Sequence, residues 1–351
     1  MASPRSVTSS HPAVSIVLPV LNEARDIGNL LDQVVAQVSP QNGFEVIVAD
    51  GGSTDDTLEI VSGFADRWPN VRLIPNEKML SSAGRNVGAR AATGKYVLFL
   101  DGHCHIPLGD YLVRMVDIFE SSQAECLCRS QPLNRILANE WAKAISMARH
   151  SRLGHAAGSD IYGGAPGFTD PRSAGAAYVR ARIDELGGYD ERFDACEDVE
   201  FNYRVAKAGL RSYVHPDLSI HYRPRSSPKG LFFQMVRYGR GRARLMVRHP
   251  GAVPWPLVFV TGFALVTLLV LLLVGPRLAG LMAVVGIGAW VLLITAESVR
   301  LAGLSISALR VGCSFFMIYV GLVLGFWRGL PEFSRFRAPQ QVELVANENR
   351  L

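Results

Sequence analysis

The sequence predicts an α/β domain built on a mostly parallel sheet, followed by a C-terminal transmembrane helical region. Three observations carry that prediction. From residue 14 to residue 100, short apolar runs alternate with amphipathic segments, the pattern of a parallel sheet covered by helices. Acidic charge then disappears, with no Asp or Glu between Asp217 and Glu297. Lastly, three uncharged runs cover 257–274, 278–296 and 311–327, each close to the ~20 apolar residues that a membrane-crossing helix needs. A buried helical core is the competing reading, but three such runs in succession are rare in soluble folds.

The elements follow in order. Residues 14–19, VSIVLP, form a short apolar run closed by proline, which suits a buried parallel strand. Ile27, Leu30, Leu31, Val34, Val35 and Val38 then fall on one face of a helix. Residues 44–49 read as a second strand. Ser53, Thr54 and Asp55 offer N-caps for a helix through Leu58, Val61 and Phe64. A third strand over 71–75, a helix over 84–92 and a fourth strand over 96–100 complete the series.

Composition agrees. Of 351 residues, 49% are hydrophobic and 19% charged, too apolar for a disordered chain. The formal net charge is +5. Five cysteines make no disulfide scaffold, and none forms a C-x-x-C pair, so zinc is not expected. All five read as reduced, which favours a cytoplasmic catalytic part.

Ligands of such sheets bind beyond the carboxyl ends of the strands. Asn22 and Glu23 stand after the first strand, Asp50 after the second and Asp101 after the fourth. Residues i and i+2 of an extended segment point the same way, so Asp101 and His103 can share one metal ion. No G-x-G-x-x-G follows the first strand and there is no Walker A motif, so dinucleotide and P-loop readings lack their phosphate loops. Glu197 and Asp198 precede Val199, Phe201, Val205 and Ala208, a helical pattern that puts both carboxylates at a helix N-terminus. Group transfer with an anionic leaving group needs that charge neutralised, a carboxylate to take the acceptor proton, and both substrates in line. Asp101 and His103 can supply the first, and Asp198 the second.

Four blocks in this order and spacing, VSIVLPVLNE, VIVADGGSTDDT, AGRNVGARAATGKYVLFLDGH and GGYDERFDACEDVEFNYRVAKAG, resemble the inverting glycosyltransferases of family 2, which have the GT-A fold. The resemblance covers residues 13–240. Together with the basic and apolar ending it is similar to bacterial membrane-bound exopolysaccharide glycosyltransferases of the succinoglycan type. It implies that Pro19, Asn22 and Glu23 border the nucleotide, that Asp50 holds a uracil-type base, and that Arg85 lies near the donor. Asp101 and His103 occupy the D-x-D metal positions. The second Asp is His here, and imidazole suits Mn²⁺ at least as well as Mg²⁺. Asp198 of the E-D motif is the catalytic base beside Glu197, and His221 stands where related enzymes place a last metal ligand. The processive Q-x-x-R-W signature reads Gln234-Met235-Val236-Arg237-Tyr238, a departure that weakens a processive polymerase.

The rest concerns the acceptor and the membrane. Gly163, Gly164, Gly167, Gly175, Ala176 and Ala177 make a loose segment that admits an acceptor or moves as a lid. Gly187-Gly188-Tyr189 reads as a structural turn. Leu231, Phe232, Met235, Val236, Leu245 and Met246 interleave with Arg237, Arg240, Arg242, Arg244 and Arg248, which reads as one or two amphipathic helices at the membrane surface. Arg237 and Arg240, aligned with the Q-x-x-R motif, are candidates to grip an acceptor diphosphate, because guanidinium forks match phosphate oxygens.

The expected organisation is a disordered tail (1–12), a catalytic domain (13–222), basic interfacial helices (223–252), about three transmembrane helices (253–330) and a C-terminal tail (331–351). With no signal peptide, the catalytic domain is expected in the cytoplasm at the cell membrane. The basic segment before the first span agrees with the positive-inside rule, although three spans would place Arg328, Arg335 and Arg337 outside. The expected reaction moves a hexose from a nucleotide sugar, UDP-linked, to a lipid-linked saccharide, with no nucleic-acid partner. A polyprenyl-phosphate sugar synthase is the alternative, but its ionised acceptor would need no base. A non-catalytic, nucleotide-regulated membrane protein is the other.

Overall fold

A computed structural model describes residues 11–133, 137–156, 162 and 165–332. Gly163, Gly164, Arg335, Arg337 and most of both tails lie outside the described residues. The chain begins β1 (Val14–Val20), α1 (Ile27–Val35), β2 (Phe44–Asp50), α2 (Thr57–Arg67), β3 (Val71–Pro75), α3 (Ser81–Ala91) and β4 (Tyr96–Phe99). Then follow β5 (Cys104–His105), α4 (Tyr111–Ser122), β6 (Cys126–Cys128), α5 (Glu140–His150), β7 (Gly167–Phe168), β8 (Gly175–Val179) and α6 (Arg180–Glu185). The domain closes with α7 (Glu197–Lys207), β9 (Ser212–Val214) and β10 (His221–Tyr222).

The main sheet has eight strands in the order β3-β2-β1-β4-β8-β6-β9-β7. The β3-β2-β1-β4 half is parallel throughout. All seven residues of β1 are buried, as befits a strand flanked on both sides and covered on both faces; its one polar side chain, Ser15, donates to Glu45 Oε1 at 2.7 Å. Beyond β4 the sheet becomes mixed: β8 runs antiparallel to both β4 and β6. The 175–177 stretch, expected as a loose segment, is therefore part of an inner strand, and Asn202 of α7 donates to the Gly175 carbonyl at 3.0 Å. Helix α1 stops earlier than its pattern suggested, leaving Val38 outside and 57% exposed.

Helix α8 (Pro228–Arg248) is one continuous helix, with the Ser227 hydroxyl accepting from Gly230 N–H at its start. Of its apolar residues Leu231, Met235 and Leu245 are buried, whereas Phe233 is exposed. Three helices follow, α9 (Trp255–Leu273), α10 (Pro276–Ala302) and α11 (Ile306–Gly329). By length and composition all three suffice to cross a membrane, with mean hydropathies of 2.6, 2.3 and 1.9. Glycines let α8 and α11 approach: a Cβ on Gly325 would lie 2.0 Å from the Val236 carbonyl, and one on Gly239 2.1 Å from that of Leu322.

Candidate active site

The loops at the carboxyl ends of β1 and β2 are sewn together. Asn22, left-handed at φ 56°, accepts through Oδ1 from Thr54 N–H at 2.8 Å and donates its own N–H to the Ser53 hydroxyl oxygen at 2.9 Å. Glu23 N–H donates to Thr57 Oγ1 at 2.8 Å. Ser53 and Thr54 thus bridge loops rather than cap α2, which starts behind Asp56 without a side-chain cap. Asp50, the last residue of β2, accepts from Gly52 N–H and Ser53 N–H at 2.8 and 3.0 Å. These bonds fix the floor of a cleft of about 490 Å³ lined by Asp50, Leu58, Leu73, Asn76 and Met79. Pro19 is buried in β1 at the inner end of this loop pair.

One guanidinium organises the next part. Arg85 of α3, 8% exposed, donates through Nη2 to Asp101 Oδ1 at 2.9 Å and through Nη1 to Glu197 Oε1 at 2.5 Å. It also stands 5.6 Å from the Tyr189 ring centroid. A pair of left-handed glycines, Gly187 and Gly188, delivers that ring. Asn86 holds the turn by bonding Tyr189 N–H and C=O at 2.7 and 2.9 Å. Burial raises the Asp101 pKa, but Arg85, His103 and Arg129 outweigh it and bring the carboxyl below its ordinary value.

Glu197 and Asp198 occupy the first turn of α7, behind Cys196 at φ 63°. Asp198 is exposed, yet the protein packed around it limits its hydration. That desolvation first, and the neighbouring Glu197 second, push its carboxyl pKa upward, with Arg85 opposing. A carboxylate made more basic in this way, and still open to solvent, is suited to accept a proton from a substrate hydroxyl.

Residues 101–104 form a turn, closed by Cys104 N–H to the Asp101 carbonyl at 3.1 Å, not the extended segment expected. His103 turns its Nδ1 to Glu23 Oε1 at 3.0 Å. When Nδ1–H donates there, Nε2 is the ring's ligand atom, the usual arrangement of a metal-binding imidazole backed by a carboxylate. Asp101 and His103 therefore fit a divalent cation as one carboxylate and one imidazole. His221 sits instead in the β5–β10 ribbon, its ring stacked on His105 at 5.6 Å. Among the described residues no three His, Cys, Asp or Glu side chains gather as a metal site, so Asp101, His103 and His221 are not assembled into one ligand set.

Helix α8 stands against the turn that leads to Asp198. Arg237 donates to the Asp194 carbonyl at 2.8 Å, Arg240 pairs with the Asp194 carboxylate, and Cys196 Sγ lies 3.7 Å from the Tyr238 carbonyl. Gln234 is buried and reaches Tyr238 Oη at 3.4 Å. Arg237 and Arg240 thus carry partners already. Ala176, buried in β8, and Gly175 lie behind α7. Sequence reasoning missed Arg129, buried near Asp101 and donating to the Phe99 carbonyl at 2.8 Å. It also missed Tyr222, whose ring lies 5.3 Å from that of His103. No motif marks either residue, because only the tertiary fold brings them to the β4 end.

Residues 15–175 match the family described as Glycosyl transferase family 2. The chain is 32% identical to the succinoglycan biosynthesis protein ExoA of Rhizobium meliloti over 332 residues, 91% of this chain and 96% of that protein. The chain belongs to glycosyl transferase family 2. This glycosyltransferase is also 24% identical, over 73% of its length and 81% of the relative's, to a Methanococcus voltae enzyme. That enzyme is named dolichyl N-acetyl-alpha-D-glucosaminyl phosphate 3-beta-D-2,3-diacetamido-2,3-dideoxy-beta-D-glucuronosyltransferase. In structure the glycosyltransferase is similar to the mannosyltransferase PcManGT of Pyrobaculum calidifontis, solved in complex with GDP-Man and Mn²⁺. That likeness has a TM-score of 0.55 at 18% identity and covers 91% of this chain and 90% of that one. The catalytic domain of this glycosyltransferase therefore has the GT-A fold, and its relatives act in polysaccharide and lipid-linked glycan synthesis.

Proposed function

We propose that this glycosyltransferase moves a hexose from a nucleoside-diphosphate sugar, UDP-linked, to a lipid-linked saccharide, inverting the anomeric centre at the cytoplasmic face of the cell membrane. The observation that carries the reading is Arg85, which joins Asp101 and Glu197 beside the exposed Asp198. The donor's base enters the cleft at Asp50, and its diphosphate lies toward Asp101 and His103. A divalent ion held there, Mn²⁺ or Mg²⁺, would neutralise charge on the departing diphosphate. Asp198 takes the proton from the attacking hydroxyl. Glu197, tied to Arg85, keeps Asp198 on its turn and raises its basicity through like charge. Helix α8, which touches that same turn, supplies the acceptor side through Gln234, Arg237 and Arg240.

The membrane reading rests on the long apolar helices α9 and α10 behind a basic segment without acids. The test uses purified full-length protein with native lipid extract and a panel of UDP-glucose, UDP-galactose and GDP-mannose, followed by mass analysis of the lipid. Lipid-linked product from a UDP-hexose, abolished by chelator and restored by Mn²⁺, is the expected result. Transfer in excess chelator, or product only from GDP-mannose, overturns the metal or the donor assignment respectively.

A further inference from the structure

Helices α9 and α10 form an antiparallel hairpin: the Phe263 ring fills the space over Gly286, where a Cβ would lie 2.7 Å from it. Its closed end is at Gly275. Its open end faces the catalytic domain, since Glu297 of α10 pairs with the Ser151 hydroxyl. If α11 were a third span, it would run alongside this hairpin from the open end to the closed end. It does not. Near its start, Gly312 lies 3.4 Å (as a built Cβ) from Ser298 Oγ. Near its end, Trp327 donates from Nε1 to Thr261 Oγ1 at 3.0 Å, and Phe326 packs with Leu257. The first contact is near the open end, and the second reaches no deeper than the middle of α10, where Trp290 meets Phe316 and Tyr319 at 5.9 Å. Pairing of 263 with 286 puts residue 261 level with about 288, so α11 advances about 15 Å along the hairpin at ~1.5 Å per residue. The hydrocarbon core is about 30 Å thick.

Ion pairs fix both ends of α11 to the catalytic domain. Arg244 of α8, its side chain 7% exposed, pairs through Nη1 with Asp194 Oδ1 at 2.5 Å and through Nε with Glu332 Oε2 at 2.6 Å. Glu332 directly follows α11, and Asp194 lies in the turn that leads to Asp198. At the other end Arg310 approaches Glu140 of α5 at 3.8 Å, and midway along the helix Tyr319 Oη donates to the Leu153 carbonyl at 2.6 Å. The two hairpin helices bury 6% and 11% of their apolar windows, against 39% for α11. Its remaining exposed stripe is Leu309, Phe316, Leu324 and Trp327, continuous at Trp327 with the apolar surface of α9.

We propose that α11 is an interfacial helix rather than a third crossing. It lies across the mouth of a two-span hairpin, with the 309–316–324–327 stripe in the lipid of the leaflet that faces the catalytic domain. The partner is that lipid surface, which suits a helix with one apolar stripe and a terminal Trp. Two crossings return Arg328 to the side of the basic segment, as the positive-inside rule requires. The inference rests on α9 and α10 crossing a membrane and does not depend on any catalytic step.

The experiment uses the full-length chain in native membranes, with one epitope at each terminus and external protease added to intact cells and to inverted vesicles. Both epitopes protected in cells and both cleaved in inverted vesicles is the expected result. Termini on opposite sides overturn the proposal. A second measurement reads depth, with nitroxide labels on Leu309→Cys, Leu324→Cys and, in α9, Leu268→Cys, each in a Cys313→Ser background because the other four cysteines are buried. Labels at 309 and 324 should both be shallower than the label at 268. If 309 or 324 is as deep as 268, α11 enters the bilayer and the proposal fails.

Discussion

At Arg85 one guanidinium holds two carboxylates that the chain sets far apart, Asp101 and Glu197. Removing one partner from a buried charge group strands the others, which typically costs about 3–5 kcal/mol. Arg85→Met should therefore lower the thermal midpoint as well as turnover, whereas Arg85→Lys should keep more stability but lose the fork. Melting curves in detergent check this, and an unshifted Arg85→Met midpoint would mean that the two acids find other partners. At Asp198 the expectation is kinetic. Asp198→Asn should lower kcat by about 10²–10⁴-fold with donor binding intact, the usual cost of losing a general base. The base works ionised, and its pKa is raised by desolvation and Glu197. The acid limb of the kcat/KM profile should therefore fall at a pH above the ordinary Asp value of about 3.9, and Asp198→Asn should erase that limb.

Among the elements, α7 is fastened at its middle as well as at its catalytic end. Glu200, 1% exposed, bonds His249 just beyond α8 at 2.8 Å and Arg204 one turn on at 2.9 Å. Burial raises its pKa, but the bonds from His249 and Arg204 outweigh this and hold it below the ordinary glutamate value. A folded pKa below the unfolded one gives stability that is present above the unfolded value, about 4.3, and is lost as pH falls through the folded value. Glu200→Gln should cost about 1.5–3 kcal/mol at neutral pH, as hydrogen bonds to charged groups do. The gap between mutant and wild-type midpoints should close below about pH 4; a gap that persists in acid would show that charge is not its source.

The parallel half of the sheet was legible because β1, β2 and β4 are continuous apolar runs whose ends carry Asn22, Asp50 and Asp101. The mixed half was not. Insertion of β8 between β4 and β6 depends on pairing between distant segments, and Gly175-Ala176-Ala177 has no strand-like composition. The placement of Glu197 and Asp198 at a helix start was legible through the helical pattern that follows them, whereas the 101–104 turn was not, since nothing local distinguishes it from an extended strand end. Hydropathy found all three C-terminal helices but measures only apolarity. It does not report what covers a helix, and the glycine-lined contact of α11 with α8 is what separates it from its neighbours.

That contact also bears on how the protein can be cut. The order of segments invites a soluble enzyme made by stopping the chain near residue 252, before the first apolar helix. Such a fragment keeps every residue of the candidate active site but loses α11, so Gly239, Ala243 and Met235 are uncovered and Arg244 loses Glu332. It should aggregate and bind nucleotide poorly. Replacing only the α9–α10 hairpin by a flexible linker, with α11 retained, should give the better-behaved protein. Size-exclusion profiles of the two versions, expressed side by side, check this. On that expectation the folding unit is discontinuous along the chain, with the α9–α10 hairpin inserted in it as a removable loop.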